Sequence, residues 1–327
     1  MKGLRLLWIA LCAAAATLWR RLRAGPRLPG WSAGLEITVE TLRRATVEMN
    51  RWPPEEMQKL AGGAARSGVA KQVRYEAETL GGVPCERTTV RGGDGSGPVL
   101  LYLHGGGMVL GSPQGHRDIV SRIALGSGAT VHAPDYRLAP QHPYPASTDD
   151  VVAVYRALLE QGVAPERLVV GGDSAGGVLT LALLLRLRES DLPWPAATVA
   201  ISPAPDLSFP SESWTRNAAT DYLSRPVVRQ WVAHYARDDQ LGLPGVSPIH
   251  GRFDGVPPML VQGGEAECLY DEIVQLVEKL RAEGVDVTFE SYPEMPHVWH
   301  LLRAFAPQEG DRAIESIARF IRAHAKG

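Results

Sequence analysis

From about residue 72 onward, short apolar runs alternate with stretches in which apolar residues recur every three or four positions. The first pattern predicts buried strands and the second predicts helices packed on them. Together they read as successive βα units around a mainly parallel sheet. The predicted strands are Val99 to Leu103, Ala129 to Ala133, Leu168 to Val170, Thr198 to Ile201, Met259 to Val261 and Val285 to Tyr292. Helical spacing fills about 115–126, 147–161, 175–190, 270–283 and 308–325. Ahead of this block, Leu35, Val39, Leu42, Thr46 and Met49 set out an amphipathic helix over 35–50, and Pro53-Pro54 opens another over about 53–61. Residues 204–250 break the rhythm with Ser, Pro, Trp and Arg, and read either as a lid over a substrate or as a structural excursion.

The N-terminus has a pattern of its own. Leu6 to Trp19 carries no charge, with Lys2 and Arg5 before it and Arg20, Arg21 and Arg23 after it. The run is short for a span, which needs about 20 apolar residues. It matches a secretory core in length, with Ala14-Ala15-Ala16 as a cleavage site. The basic cluster that follows opposes export and would hold the next domain in the cytoplasm. Leu11 is too large to precede a lipidated Cys12. Residues 1–30 are therefore an anchor, a signal or a helix docked on the protein itself, joined to residues 31–327 by a Gly/Pro hinge at 25–30. The chain is expected to be cytoplasmic or membrane-associated, with secretion the lesser alternative.

A chain of 327 residues suffices for one large α/β domain or two ordinary ones. With 34 basic against 36 acidic side chains the net charge is −2, which argues against a nucleic-acid or anionic-membrane partner recognised by bulk charge. Cys12, Cys85 and Cys268 are too scattered for a disulfide framework, a zinc ribbon or a redox pair.

The chemistry gathers at three places. Leu168 to Gly177 reads as strand, tight turn and Leu/Ala-rich helix, and the turn holds G-x-S-x-G at Gly172–Gly176. Such an elbow strains a nucleophilic Ser174, admits only small neighbours and aims helix N–H groups at a developing oxyanion. His104-Gly105-Gly106-Gly107 ends an earlier strand and exposes backbone N–H groups suited to the same oxyanion. A dinucleotide fingerprint over Gly105, Gly107 and Gly111 with Asp135 fails, because its third glycine comes one residue late and no helix follows. After the last strand comes Pro296-His297-Val298-Trp299-His300, where His297 is expected to open the final helix and His300 to point elsewhere. Glu265, Glu267 and Asp271 follow the strand at 259–261, and Asp271 with Glu272 looks like a helix start. The order Ser, acid, His is the order of a hydrolase triad.

These motifs in combination resemble the bacterial hormone-sensitive-lipase-like carboxylesterases. The resemblance rests on HGGG at 104–107, PDYRLAP at 134–140, GDSAG at 172–176, SP-x-x-DL at 202–207 and PHVW at 296–299, and runs from about Trp31 to the C-terminus. It implies an α/β-hydrolase fold with a mostly parallel eight-stranded sheet, helices on both faces and a helical cap over about 31–70 and 205–250. It implies a serine esterase with no cofactor and no metal, acting on uncharged short-to-medium acyl esters, with lactones or small acetylated molecules as the alternative. Ser174, Glu267 and His297 would be the triad, and Gly105, Gly106, Gly107 and Ala175 the oxyanion hole. His104 would shape its loop, while Asp135, Tyr136 and Arg137 would brace the turn below. The family's acid stands in an Asp-Pro-Leu-x-Asp-Glu pattern. Here Glu267-Cys268-Leu269-Tyr270-Asp271-Glu272 takes its place, so the role lands on Glu267. Trp214, Tyr222 and Trp231 would line an acyl pocket or fill the cap core, and Cys268 would be a buried thiol. A receptor without activity, similar to the plant gibberellin receptors, would be expected to lack a triad member. The expected partners are a small ester or lactone, a membrane through residues 6–19 and a second copy of the chain.

Overall fold

The structure is a computed structural model and describes residues 2–326. Three helices come first: α1 (Lys2–Ala24), α2 (Ala33–Met49) and α3 (Pro54–Ala61). Strands and helices then alternate through β1 (Val73–Leu80), β2 (Val83–Val90), β3 (Val99–Leu103), α4 (Arg117–Ser127), β4 (Thr130–Pro134), α5 (Ala146–Glu160), β5 (Leu168–Asp173), α6 (Ala175–Arg188) and β6 (Ala197–Ile201). The 204–250 stretch contains α7 (Ser213–Arg216) and α8 (Arg225–Tyr235), and β7 (Met259–Gly264), α9 (Tyr270–Ala282), β8 (Val287–Tyr292) and α10 (Pro307–His324) complete the chain.

The eight strands form one sheet in the order β1-β2-β4-β3-β5-β6-β7-β8. Only the β1–β2 and β2–β4 pairings are antiparallel; the other five are parallel. The central strands β3, β5, β6 and β7 are buried at every position because helices cover both faces. Alternation still sorts their side chains. Leu100 and Tyr102 of β3 face Ile119 and Ile123 of α4 and Ile317 of α10. Leu101 and Leu103 face Val154 of α5, Leu179 of α6 and Ile273 of α9.

The β1–β2 hairpin is an addition to the six strands located from the sequence. Leu80 pairs with Val83 across Gly81-Gly82, whose φ values are +56° and +82°, so the two-residue turn requires glycine. The final helix also departs from expectation. It begins at Pro307, and His297 lies ahead of it in a loop followed by a single 3-10 turn at Trp299–Leu302. A proline at the first helical position is the stronger start signal.

Helix α1 is long and apolar enough to cross a membrane by length and composition. In the structure one side of it packs on α2. Arg21 donates to Glu36 at 2.8 Å, Arg20 pairs with the same carboxylate, and Glu36 is buried. Helix α2 itself starts at Ser32, whose Oγ accepts the Leu35 N–H at 3.1 Å.

Candidate active site

The turn from β5 to α6 places Ser174 at its tip with φ 53° and ψ −116°, a conformation that L-residues avoid. Backbone crowding explains the glycines around it. A methyl on Gly172 or Gly176 would collide with the Leu103 carbonyl, and one on Gly177 would lie 2.9 Å from Pro203 Cβ. The Ser174 N–H donates to the Ile201 carbonyl at 2.8 Å, which ties the turn to β6.

Loops at the ends of β7 and β8 bring Glu267 and His297 to this tip. Glu267 Oε2 accepts from His297 Nδ1 at 2.7 Å, which leaves Nε2 to accept the Ser174 hydroxyl at 2.9 Å. Glu267 Oε1 also accepts from the Gly264 N–H at 2.7 Å and from Ser202 Oγ at 3.1 Å, so its orientation is fixed on three sides. Burial disfavours the imidazolium of His297. The hydrogen bond and charge of Glu267 outweigh that, and the His297 pKa lies above its ordinary value. Burial raises the Glu267 carboxyl, with the His297 hydrogen bond and charge opposing. The other candidates are engaged elsewhere. Glu265 accepts from Ser291 Oγ, Asp271 accepts the Ser213 N–H, and His300 Nε2 meets Gln262 Oε1 at 2.8 Å.

The glycine loop after β3 borders the same space. Gly106 and Gly107 have φ values of +130° and +64°, and a methyl on Gly107 would come within 2.5 Å of Trp231. The N–H groups of Gly106, Gly107 and Ala175 have no partner among the described residues. Gly105 is a correction to the expected set: its N–H is spent on Asp173 Oδ1 at 3.1 Å. Asp173 is fully buried and also accepts from the Tyr102 hydroxyl at 2.7 Å. Burial works against its charge, but the neighbouring His116 holds its pKa down at about 2. Burial takes the pKa of His104 down to about 3, so its ring is neutral where it stacks on Tyr136 at 4.2 Å. The Tyr136 hydroxyl donates to the His104 carbonyl at 2.6 Å, and Arg137 pairs with Asp150.

Two groups were not singled out from the sequence. Ser202 bridges the loops, donating to Glu267 and accepting the Val298 N–H at 3.3 Å. Asp221 is fully buried. Its Oδ1 accepts from Tyr222 N–H at 2.7 Å and His297 N–H at 3.3 Å, and its Oδ2 accepts from Cys268 N–H at 2.6 Å. A proline at 268, as in the pattern this chain resembles, would have no N–H to give. The SP-x-x-DL motif contained a signal for Ser202, whereas nothing local distinguishes Asp221.

Ser174 and His297 open onto a cavity of about 430 Å³, with Glu267 buried behind them. Leu42 and Thr46 of α2 line one side, and Phe209, Trp214, Tyr222 and Trp231 from the 204–250 stretch line another. Cys268 is buried and its thiol is pushed up by desolvation.

The sheet order and its helices define the chain as an α/β hydrolase, and a family model described as the alpha/beta hydrolase fold matches residues 100–301. The chain is 44% identical over 239 residues to an acetyl-hydrolase of Streptomyces hygroscopicus, covering 73% of this chain and 80% of that one. It is 38% identical over 224 residues to an esterase of Acinetobacter venetianus, covering 68% and 74%. A crystal structure of an esterase from the bacterial hormone-sensitive lipase family superposes with TM-score 0.82 at 36% identity, covering 90% of this chain and 99% of that one. The chain belongs to the bacterial hormone-sensitive-lipase-like carboxylesterases, a family of serine hydrolases acting on ester bonds.

Proposed function

We propose that this esterase cleaves short-to-medium acyl esters of uncharged alcohols through an acyl-enzyme on Ser174. Ser174 Oγ attacks the acyl carbon as its proton passes to His297 Nε2. The carbonyl oxygen becomes an oxyanion facing the N–H groups of Gly106, Gly107 and Ala175. The leaving alkoxide takes the proton from His297, and water then repeats the sequence to release the acid. Glu267 fixes the tautomer and stabilises the imidazolium. The observation that carries this reading is the unbroken hydrogen-bonded chain from Glu267 through His297 to Ser174, at 2.7 and 2.9 Å, on the floor of an apolar cavity. Residues 31–70 and 205–250 act as the cap, since both contribute to the cavity lining.

Removal of acetyl groups from small molecules is the second reading, favoured by the name acetyl-hydrolase carried by the Streptomyces relative. Helix α1 is part of the reading as a membrane-facing element, because its docked side argues against a cleaved leader. The test is hydrolysis of p-nitrophenyl esters from acetyl to dodecanoyl by wild type and Ser174→Ala. A short-to-medium optimum that vanishes in the variant is the expected result. A folded wild type that turns over no ester would overturn the reading.

A further inference from the structure

Helix α1 turns the wrong side outward for a helix in water. Leu4, Trp8, Leu11, Ala15, Trp19 and Leu22 follow one another at steps of three or four, which makes a single stripe. The whole stripe is exposed, with Leu4 at 71%, Trp8 at 67% and Leu22 at 84%. The opposite side faces the enzyme, with Ala13 and Thr17 buried against it and charged residues holding the two ends. There Arg5 donates to Glu48 at 2.9 Å, Arg21 donates to Glu36 at 2.8 Å, and Lys2 pairs with Glu56.

We infer that α1 lies flat in the interfacial layer of a lipid bilayer and holds the cavity beside it, so that the enzyme draws esters dissolved in the membrane. Spanning is opposed by two features. Trp8 and Trp19 are separated by about 16 Å along the helix, half of the roughly 30 Å hydrocarbon thickness, so they cannot mark its two interfaces. A spanning α1 would also strip Arg20 and Arg21 from Glu36 and leave that carboxylate only its longer 3.5 Å contact to Arg27. Lying flat puts both indoles at one depth, where tryptophan is favoured. The helix has no acidic residue to repel phosphate, and Arg23 stacks on Trp19 at 4.0 Å with its cation at headgroup level.

Beyond α1, Val47, Leu60, Leu301 and Phe305 are also exposed apolar side chains, and Leu301 lines the cavity. Helix α2 packs on α1 and lines the cavity with Leu42 and Thr46. A second protein copy seated on this surface would close the opening, whereas fluid lipid would feed it. The substrate clause rests on the esterase reading; the membrane clause does not.

The test uses the full chain with vesicles of phosphatidylcholine and phosphatidylglycerol. Wild type should sediment with them and be released by alkaline carbonate. The triple variant Trp8→Ser/Leu11→Ser/Trp19→Ser alters only exposed side chains and should bind at least about tenfold more weakly. Its rate on p-nitrophenyl decanoate held in vesicles should fall by a similar factor, while p-nitrophenyl acetate in water is cleaved within about twofold of wild type. Wild type that stays in solution, or resists carbonate, would overturn the inference. So would a lipid-free dimer, seen by light scattering, that the variant abolishes. If acetate is not hydrolysed at all, the esterase reading fails while the sedimentation result still decides the membrane clause.

Discussion

Replacing Asp221 by alanine removes one carboxylate that serves three backbone donors from three loops. The N–H groups of Tyr222, Cys268 and His297 would lose their acceptor in a fully buried place. Each orphaned donor costs about 1–3 kcal/mol, and the long 3.3 Å contact to His297 belongs at the low end, so the expected loss is about 3–5 kcal/mol. That is a large part of the 5–15 kcal/mol typical of a folded domain, yet it leaves the variant folded. Two of the three donors adjoin or belong to the proposed acid and base, and a misplacement of about 1 Å there costs on the order of 10²-fold in kcat. The carboxylate does not face the cavity, so KM should change little. Urea unfolding followed by tryptophan fluorescence measures the first quantity, and saturation kinetics on p-nitrophenyl butyrate measure the second. Asp221→Asn keeps one oxygen acceptor and should recover part of both. An alanine variant within about 0.5 kcal/mol of wild type with unchanged kcat would refute the reasoning.

Other substitutions read separate parts of the site. Glu267→Gln presents an amide to His297 Nδ1, loses control of the tautomer and should lower kcat about 10⁴-fold with the fold intact; a loss under about tenfold would remove Glu267 from the proposed triad. Ser174→Gly and Ser174→Ala should both be inactive, but the glycine variant escapes a strained φ and should melt later, by roughly 1 kcal/mol after its larger unfolded-state entropy is subtracted. Equal melting would mean that the turn stores no strain. Gly176→Ala drives a methyl into the Leu103 and His104 carbonyls and should cost about 3 kcal/mol in the same urea assay. His297 must be neutral to accept a proton, and its pKa is raised above the usual 6.5, so activity is lost as pH falls and the acidic limb of kcat/KM should centre above pH 6.5. A limb centred lower would contradict the Glu267–His297 coupling.

The central sheet was legible because strands covered by helices on both faces must be apolar throughout, and Val99 to Leu103 or Met259 to Val261 can be little else. The hairpin was not located because β1 reads Val-Arg-Tyr-Glu-Ala-Glu-Thr-Leu, with only its two end residues buried and no continuous apolar run to find. Its one clear signal was Gly81-Gly82 between two alternating segments. The glycines of the 172–177 turn were legible because crowding there is local. Asp221 was not, since it acts through donors 47 and 76 residues away and no spacing rule links them. The commitment of the Gly105 N–H was hidden for the same reason, because only the folded chain brings Asp173 beneath it.

The hairpin also decides where the sheet stops. Strand β1 is its outermost strand, and its free rim of N–H and C=O groups could template another chain. Arg74, Glu76 and Glu78 stand along that rim, with Arg87 of β2 hydrogen-bonded to Glu76 at 2.9 Å. A strand from a second molecule aligning there would meet two carboxylates in alternate positions and would have to desolvate them together with their Arg87 and His132 partners. The rim thus works as a guard against edge-to-edge polymerisation, and the sheet ends at eight strands when many molecules are crowded together.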